Sequence, residues 1–323
     1  MTVIKNIIMR KKQVFLYLAI ITVLIYSCTK DSIPDKYKTK NIIVIVVDGA
    51  RYSETWGDST HQFIPYFANE IAKNGIINTE FYNNGATYTL AGHSALTTSN
   101  YQQINNTGAE IPIYPSVFQC FLKKKKINAN SSWIISSKDK LEILNNCLLN
   151  TWSNRFSPST NCGVNGLGSG YREDSISIVK FQEILTIYHP HLVLFSFRDP
   201  DFSAHTGIWN NYIEGIKNTD KYICQIWNFI NNDPIYKNST TLFITNDHGR
   251  HLDSVSSGFA SHGDTCMGCR HISFFAYGPD FKKSIIINKP RELIDIPATI
   301  AELLQFNAVY LRGEVMYELF ENK

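Results

Sequence analysis

Three acidic groups, two of them with an imidazole, stand out by residue type and spacing: Asp48-Gly49, Asp201 followed four residues on by His205, and Asp247-His248-Gly249. Carboxylate and imidazole together form a mixed oxygen–nitrogen donor set. Such a set suits Zn²⁺ better than Mg²⁺, which keeps an all-oxygen shell, or Cu⁺, which prefers sulfur. A second chemical stretch is GATYTLAGHSALTTS at 85–99, where Thr87, Thr89, Thr97 and Thr98 surround a Gly-His pair with no charged residue. Alone it reads either as a packing element or as the carrier of a hydroxyl nucleophile activated from elsewhere in the chain. A third is SSKDK at 136–140, which offers Lys138 and Lys140 to an anion or simply to solvent.

Most of these groups come after a short apolar run. NIIVIVV (41–47) leads into Asp48, SWIIS (132–136) into Ser137-Lys138-Asp139-Lys140, HLVLFSF (191–197) into Asp201 and His205, and TTLFITN (240–246) into Asp247. HISFFAY (271–277) completes the set. Runs without alternation suit strands buried on both faces of a mainly parallel sheet. Helix-like segments near 64–74, 175–188, 210–231 and 293–305 fall between or after them. The expected fold is therefore α/β, with helices covering both faces of the sheet. Ligands of such sheets bind at the carboxyl ends of the strands, the edge to which these polar residues are delivered. Each Asp-Gly or Asp-His-Gly is also an ordinary turn; delivery from three strands to one edge points to a site. His262, in SHGD ahead of the last run, is the best candidate for a further imidazole. Gly163, Gly166, Gly168 and Gly170 fit no GxGxxG after a strand and read as a surface loop.

The 323 residues are 44% hydrophobic with a net charge of +3, which supports a sizeable core and gives no reason to expect a nucleic-acid partner. The KKKK run at 123–126 lacks interleaved aromatics and reads as a solvated helix end or loop. Lys5, Arg10, Lys11 and Lys12 precede VFLYLAIITVLIY, which ends at Ser27-Cys28. This pattern resembles a bacterial lipoprotein signal over 1–27 with lipid on Cys28, a tether to residue 39, and one catalytic domain over 40–323. The expected location is outside the cytoplasm, anchored to a lipid membrane and facing the periplasm or cell surface. Cys120, Cys147, Cys162, Cys224, Cys266 and Cys269 remain. Cys266 and Cys269 have half the spacing of a zinc knuckle, with no second CxxC to complete it, so a local disulfide is expected and thiolate metal binding competes with it.

The ordered set VVDGAR (46–51), TLAGH (89–93), DFSAH (201–205), NDHGR (246–250) and SHGD (261–264) resembles the alkaline phosphatase superfamily. It is most similar to the threonine-nucleophile alkaline phosphatases and the phosphodiesterase/nucleotide pyrophosphatases. DIPATIAELL (295–304) is similar to the helix that comes after the last strand in these enzymes. The resemblance implies an α/β/α sandwich and two zinc ions. Asp48, Thr89, Asp247 and His248 would hold one, and Asp201, His205 and His262 the other. Thr89 falls at the nucleophile position, with Thr87 as its alternative, and a phosphothreonine would form and then be hydrolysed. His93 is not a family ligand and reads as a structural residue. SSKDK resembles a segment whose two basic residues bind monoester phosphate; Lys138 matches and Lys140 replaces an arginine, losing the bidentate fork. Glu110 stands where an asparagine is expected, leaving Asn105 or Asn106 to bind the phosphoryl group. The sulfatase signature CxPxR is absent. The resemblance thus implies a phosphomonoesterase acting on a small phosphorylated substrate. A phosphodiesterase or nucleotide pyrophosphatase is the first alternative, and a non-catalytic surface binding lipoprotein the second.

Overall fold

A computed structural model describes residues 36–321; the expected signal, Cys28 and most of the tether lie outside them. The strands in chain order are β1 (Asn41–Asp48), β2 (Ile76–Asn78), β3 (Phe81–Tyr82), β4 (Ser132–Ser136), β5 (Ser159–Cys162), β6 (Leu192–Pro200), β7 (Thr240–Thr245), β8 (Phe274–Tyr277), β9 (Ile285–Ile287) and β10 (Arg291–Glu292). Eight of them form one sheet in the order β5-β4-β6-β1-β7-β8-β2-β9, while β3 and β10 pair separately. Every pairing from β5 to β7 is parallel, and β8 runs antiparallel to both of its neighbours. The expected mainly parallel sheet is what forms.

The missing alternation in the apolar runs has a direct cause. Along β1, Ile42, Val44 and Val46 enter one hydrophobic core and Ile43, Ile45 and Val47 the other. Both faces are covered. On the first lie α1 (Thr89–Thr98), α2 (Val117–Lys125) and, near the C-terminus, the helix Asp295–Leu303, through Leu90, Phe118, Phe121 and Ile300. On the second lie α3 (Asp174–Tyr188) and α4 (Trp209–Asn232), through Phe181, Leu185, Ile226 and Ile230. No helix of the described residues is long and apolar enough to cross a membrane.

Several details differ from expectation. The 64–74 segment is no regular α-helix: Phe67–Ile71 winds as a π turn and Ala72–Asn74 as a 3₁₀ turn. The Asp220 carboxylate accepts the Tyr66 and Phe67 backbone N–H groups at 2.9 and 2.8 Å, tying this segment to α4. The glycine loop does come after a strand, β5, whose sequence STNC is polar and carries no apolar signal. Only its start packs closely: a Cβ on Gly163 would lie 2.3 Å from that of Asp139, whereas one on Gly168 or Gly170 would meet open space. The lysine run behaves as a helix end, with Lys123, Lys124 and Lys125 in the last turn of α2 and Lys126 left-handed at its cap. At its other end Ser116 and Gln119 form a capping box.

Candidate active site

The site forms at the carboxyl ends of β1, β4, β6 and β7. The parallel register of β1 with β6 shifts between Val46 and Asp48, so that Asp48 pairs with Pro200 at the carboxyl ends of the two strands. Gly49 then turns at φ +68°, and a Cβ there would meet Arg250 Nη1 at 2.9 Å and Asp201 at 3.0 Å. Glycine is needed for the turn and for the close approach.

One ammonium lies at the centre. Lys138, buried just past β4, places Nζ 2.7 Å from Asp201 Oδ2, 2.8 Å from Asp48 Oδ2 and 3.4 Å from Thr89 Oγ1. Asp201 Oδ1 lies 3.2 Å from both His205 Nε2 and His262 Nε2. The His248 and His262 rings stack with centroids 4.0 Å apart. His248 Nε2 lies 3.4 Å from Asp247 Oδ2 and 3.6 Å from Asp48 Oδ1. The side chains of Asp48, Thr89, Asp201, His205, Asp247, His248 and His262 are thus linked by short contacts around one locus.

The imidazoles are oriented from behind. His248 Nδ1 bonds to the Gly249 carbonyl and His262 Nδ1 to the Thr87 carbonyl, each at 2.8 Å, so both rings donate outward and turn Nε2 inward. Burial pushes the His248 imidazole down to about 3, which keeps its inward lone pair free at ordinary pH. His93 bonds through Nδ1 to the Thr89 carbonyl and through Nε2 to Ser196 Oγ, with Nδ1 3.2 Å from Asp247 Oδ2. It steadies both the start of α1 and Asp247.

Three buried carboxylates face two buried cations here, Lys138 and Arg250. Burial, reinforced by the Asp247 charge, pushes Asp48 well above the usual carboxylate range. Burial pulls Asp201 upward too, but the Lys138 charge, bonds from His205 and His262 and the Arg250 charge hold it well below that range. The two acids share one ammonium and move oppositely because only Asp201 has the extra donors. Asp48 Oδ1, Asp247 Oδ2 and His248 Nε2 are buried without a hydrogen bond. Asp201/His205/His262, Asp48/Asp201/His248 and Asp48/His93/Asp247 each bring ligand atoms within 4.8 Å of one another. Orphaned polar atoms and a mixed Asp/His set fit divalent cations.

The remaining predicted residues separate clearly. Thr89 opens α1 and is buried, whereas Thr97 and Thr98 bond back to the carbonyls of His93 and Ser94. Thr87 Oγ1 donates to the Asp264 carbonyl. Asn106 Oδ1 accepts the Leu90 backbone N–H and Lys140 Nζ, both at 3.0 Å, and so borders the first turn of α1. Asn105 instead caps its own loop, accepting from Thr107 while its N–H donates to Glu110. The Cys266–Cys269 disulfide is not formed, and all six described cysteines are unbridged: Cys266 caps one helical turn, Met267–Arg270, and Cys269 lies within it. Arg250 is a site residue that the sequence does not single out. It bonds Asp201 through Nη1 at 2.5 Å and holds the Phe259 and Ala260 carbonyls, joining a site carboxylate to the loop that carries His262. Its only signal is its place in NDHGR, and a single arginine after a turn has no pattern of its own.

A family model described as the metalloenzyme superfamily matches residues 155–308, a little under half of the chain, and spans Asp201, His205, Asp247, His248 and His262. No curated protein matches by sequence. Among solved structures the chain is similar to a phosphonate monoester hydrolase of Agrobacterium radiobacter (TM-score 0.62, 12% identity, 87% of this chain and 77% of that one). It is also similar to murine ectonucleotide pyrophosphatase/phosphodiesterase 5 in complex with AMP (0.61, 14%, 87% and 100%). A third is a protein in the alkaline phosphatase superfamily from Vibrio parahaemolyticus (0.60, 13%, 88% and 71%). At these identities the likeness is one of fold, and it bears out the alkaline phosphatase-like architecture.

Proposed function

We propose that this chain is an exported, metal-dependent hydrolase of phosphoric esters, acting on monoesters with Thr89 as nucleophile. Zn²⁺ held by Asp48, Thr89, Asp247 and His248, and by Asp201, His205 and His262, would supply Lewis acidity and offset phosphate charge. The observation that carries the reading is the position of Lys138, whose one ammonium reaches Asp48, Asp201 and the Thr89 hydroxyl. Thr89 Oγ1 stands at the first turn of α1, where the helix dipole favours an incoming anion. Attack on phosphorus in line with the leaving oxygen gives a phosphothreonine, which water then cleaves. Lys138, Lys140 and Asn106 surround the places for non-bridging oxygens. Because Asn106 Oδ1 is engaged by Leu90 and Lys140, its Nδ2 is left to donate.

Turnover of p-nitrophenyl phosphate, bis-p-nitrophenyl phosphate and p-nitrophenyl sulfate by zinc-replete protein tests the reading, together with mass spectrometry of acid-quenched enzyme. Monoester turnover with phosphate on Thr89 supports it; turnover of the sulfate alone would overturn it.

One feature favours the phosphodiesterase reading instead. Tyr88, Tyr171 and Phe202 are exposed beside the site, with Tyr88 against His262, Tyr171 against Lys138 and Phe202 next to Asp201 in the chain. Such faces can stack on an aryl or nucleobase leaving group. A higher kcat/KM for the diester would establish that reading.

Location rests on the N-terminal pattern: a lipid on Cys28 would tether the 40–323 domain to a membrane. Loss of palmitate labelling in Cys28→Ala, with labelling of the wild type, is the expected result.

A further inference from the structure

We propose a separate zinc site of structural type, built by His251, Asp264, Cys266 and Cys269, outside the seven residues already assigned. Their ligand atoms lie within 4.8 Å of one another. Two sulfurs, one imidazole and one carboxylate complete four-coordination without an open position, as in closed zinc sites. The CxxC pair lacks a second half in the sequence; the fold supplies it from two other positions.

The donors are prepared for this role. His251 is 5% exposed, and its Nδ1 pairs with Ser261 Oγ at 2.9 Å, which directs Nε2 toward Asp264 Oδ2 at 3.2 Å. His251 Nε2 makes no hydrogen bond, although it is buried. Asp264 Oδ1 accepts the Cys266 backbone N–H at 2.9 Å, leaving Oδ2 for the cluster. Cys269 is fully buried, and neither thiol is bridged. The backbones that carry the ligands are pressed together. Gly249 N–H donates to the Cys269 carbonyl at 2.8 Å, and a Cβ on Gly268 would lie 2.4 Å from the Arg250 carbonyl. This contact holds His251 over the CxxC turn.

The placement gives the metal a purpose. Arg250 and His262 belong to the same segment, and the Asp264 carbonyl accepts the Thr87 hydroxyl while the Thr87 carbonyl holds His262. A clip at 251/264/266/269 would fix the strap that presents His262 to the active site. It stands on its own residues, whether or not the chain hydrolyses phosphoric esters.

The test uses sulfur as a reporter, since none of the seven active-site ligands carries it. Full-length protein is purified, reduced, stripped of metal and loaded with Co²⁺. The expected result is a near-ultraviolet thiolate-to-cobalt charge-transfer band in the wild type, lost in both Cys266→Ser/Cys269→Ser and His251→Ala. Native protein should carry one more zinc than the double-serine variant, and its two thiols should resist a thiol reagent until a chelator is added. The histidine variant separates the readings, because a disulfide has no use for His251. Absence of the band in wild-type protein, which needs no variant to fold, overturns the site. So does recovery of Cys266 and Cys269 as a disulfide-linked peptide from native protein.

Discussion

Gly92, in the first turns of α1, is in direct contact with Asp247, just beyond the end of β7: a Cβ on Gly92 would lie 2.4 Å from the Asp247 carbonyl oxygen. The glycine lets α1, which carries Thr89 in its first turn, lie directly against the Asp247 backbone. Helix propensity alone favours Gly92→Ala by about 1 kcal/mol. Overpacking against backbone, which no rotamer change relieves, costs typically about 1–3 kcal/mol. The steric term should win. A lower melting temperature and reduced zinc content are expected; a more stable alanine variant would show that the helix can shift freely.

Thr89→Ala should remove monoester turnover by roughly three orders of magnitude or more, the scale on which nucleophile removal acts. Thr89→Ser should keep a measurable part, with phosphate found on Ser at that position. The other hydroxyls give a built-in control. Thr97 and Thr98 bond to backbone carbonyls within α1, so Thr97→Val should leave kcat within a few-fold. Equal loss in Thr89→Ala and Thr97→Val would indicate damage to α1 rather than loss of a nucleophile.

These residues are legible in the sequence to very different degrees. Asp48, Asp201, Asp247 and His248 announce themselves because each comes after an apolar run, and both faces of β1, β6 and β7 are buried. β5 is not legible because a polar edge strand, STNC, carries neither period nor hydrophobicity. β2 and β9 are three-residue pieces whose pairing is settled by the β8 return. His251 and Asp264 are hidden for another reason. They join Cys266 and Cys269 through contacts made by Gly249 and Gly268, and no linear spacing reports close approach of backbones. Asn106 and Asn105 look equivalent in sequence; only the loop geometry gives one to Leu90 and the other to Thr107.

Metal binding should expel protons. Burial and the Asp247 charge raise Asp48, so the metal-free fold holds a proton there at pH values where a free carboxylate is ionised. A raised carboxylate contributes stability below its unfolded pKa, near about 3.9, and loses it as pH rises through the folded value. Zinc must take the ionised form, so affinity should rise with pH across that window. His248, already neutral with its pKa pushed down to about 3, should add none. Calorimetric zinc titration in buffers of different ionisation enthalpy reads the release directly. Cys266→Ser/Cys269→Ser protein is the right background, since thiol protons are then absent. No net release would mean that Asp48 is ionised in the metal-free fold.

The last prediction concerns how Lys140 takes part in substrate choice. Its Nζ reaches Asn106 Oδ1, which also caps Leu90 N–H, and burial together with the Lys138 charge lowers its pKa. Lys140 therefore has two routes to the substrate, its own charge and the amide it holds. A charge-assisted hydrogen bond is worth about 1.5–3 kcal/mol, or roughly ten- to a hundredfold in rate. Lys140→Ala should lower monoester kcat/KM by that factor and diester kcat/KM less, because a monoester brings the extra negative charge. Asn106→Ala should do the same on a smaller scale. The double variant should lose less than the product of the two, since removing either partner already releases the other. Lys138→Ala combined with Lys140→Ala should instead approach roughly two to four orders of magnitude on the monoester. Fully multiplicative losses for Lys140 and Asn106 would mean that each contacts the phosphoryl group independently. Equal losses on monoester and diester would leave Lys140 as a brace for the start of α1, with no part in choosing between them.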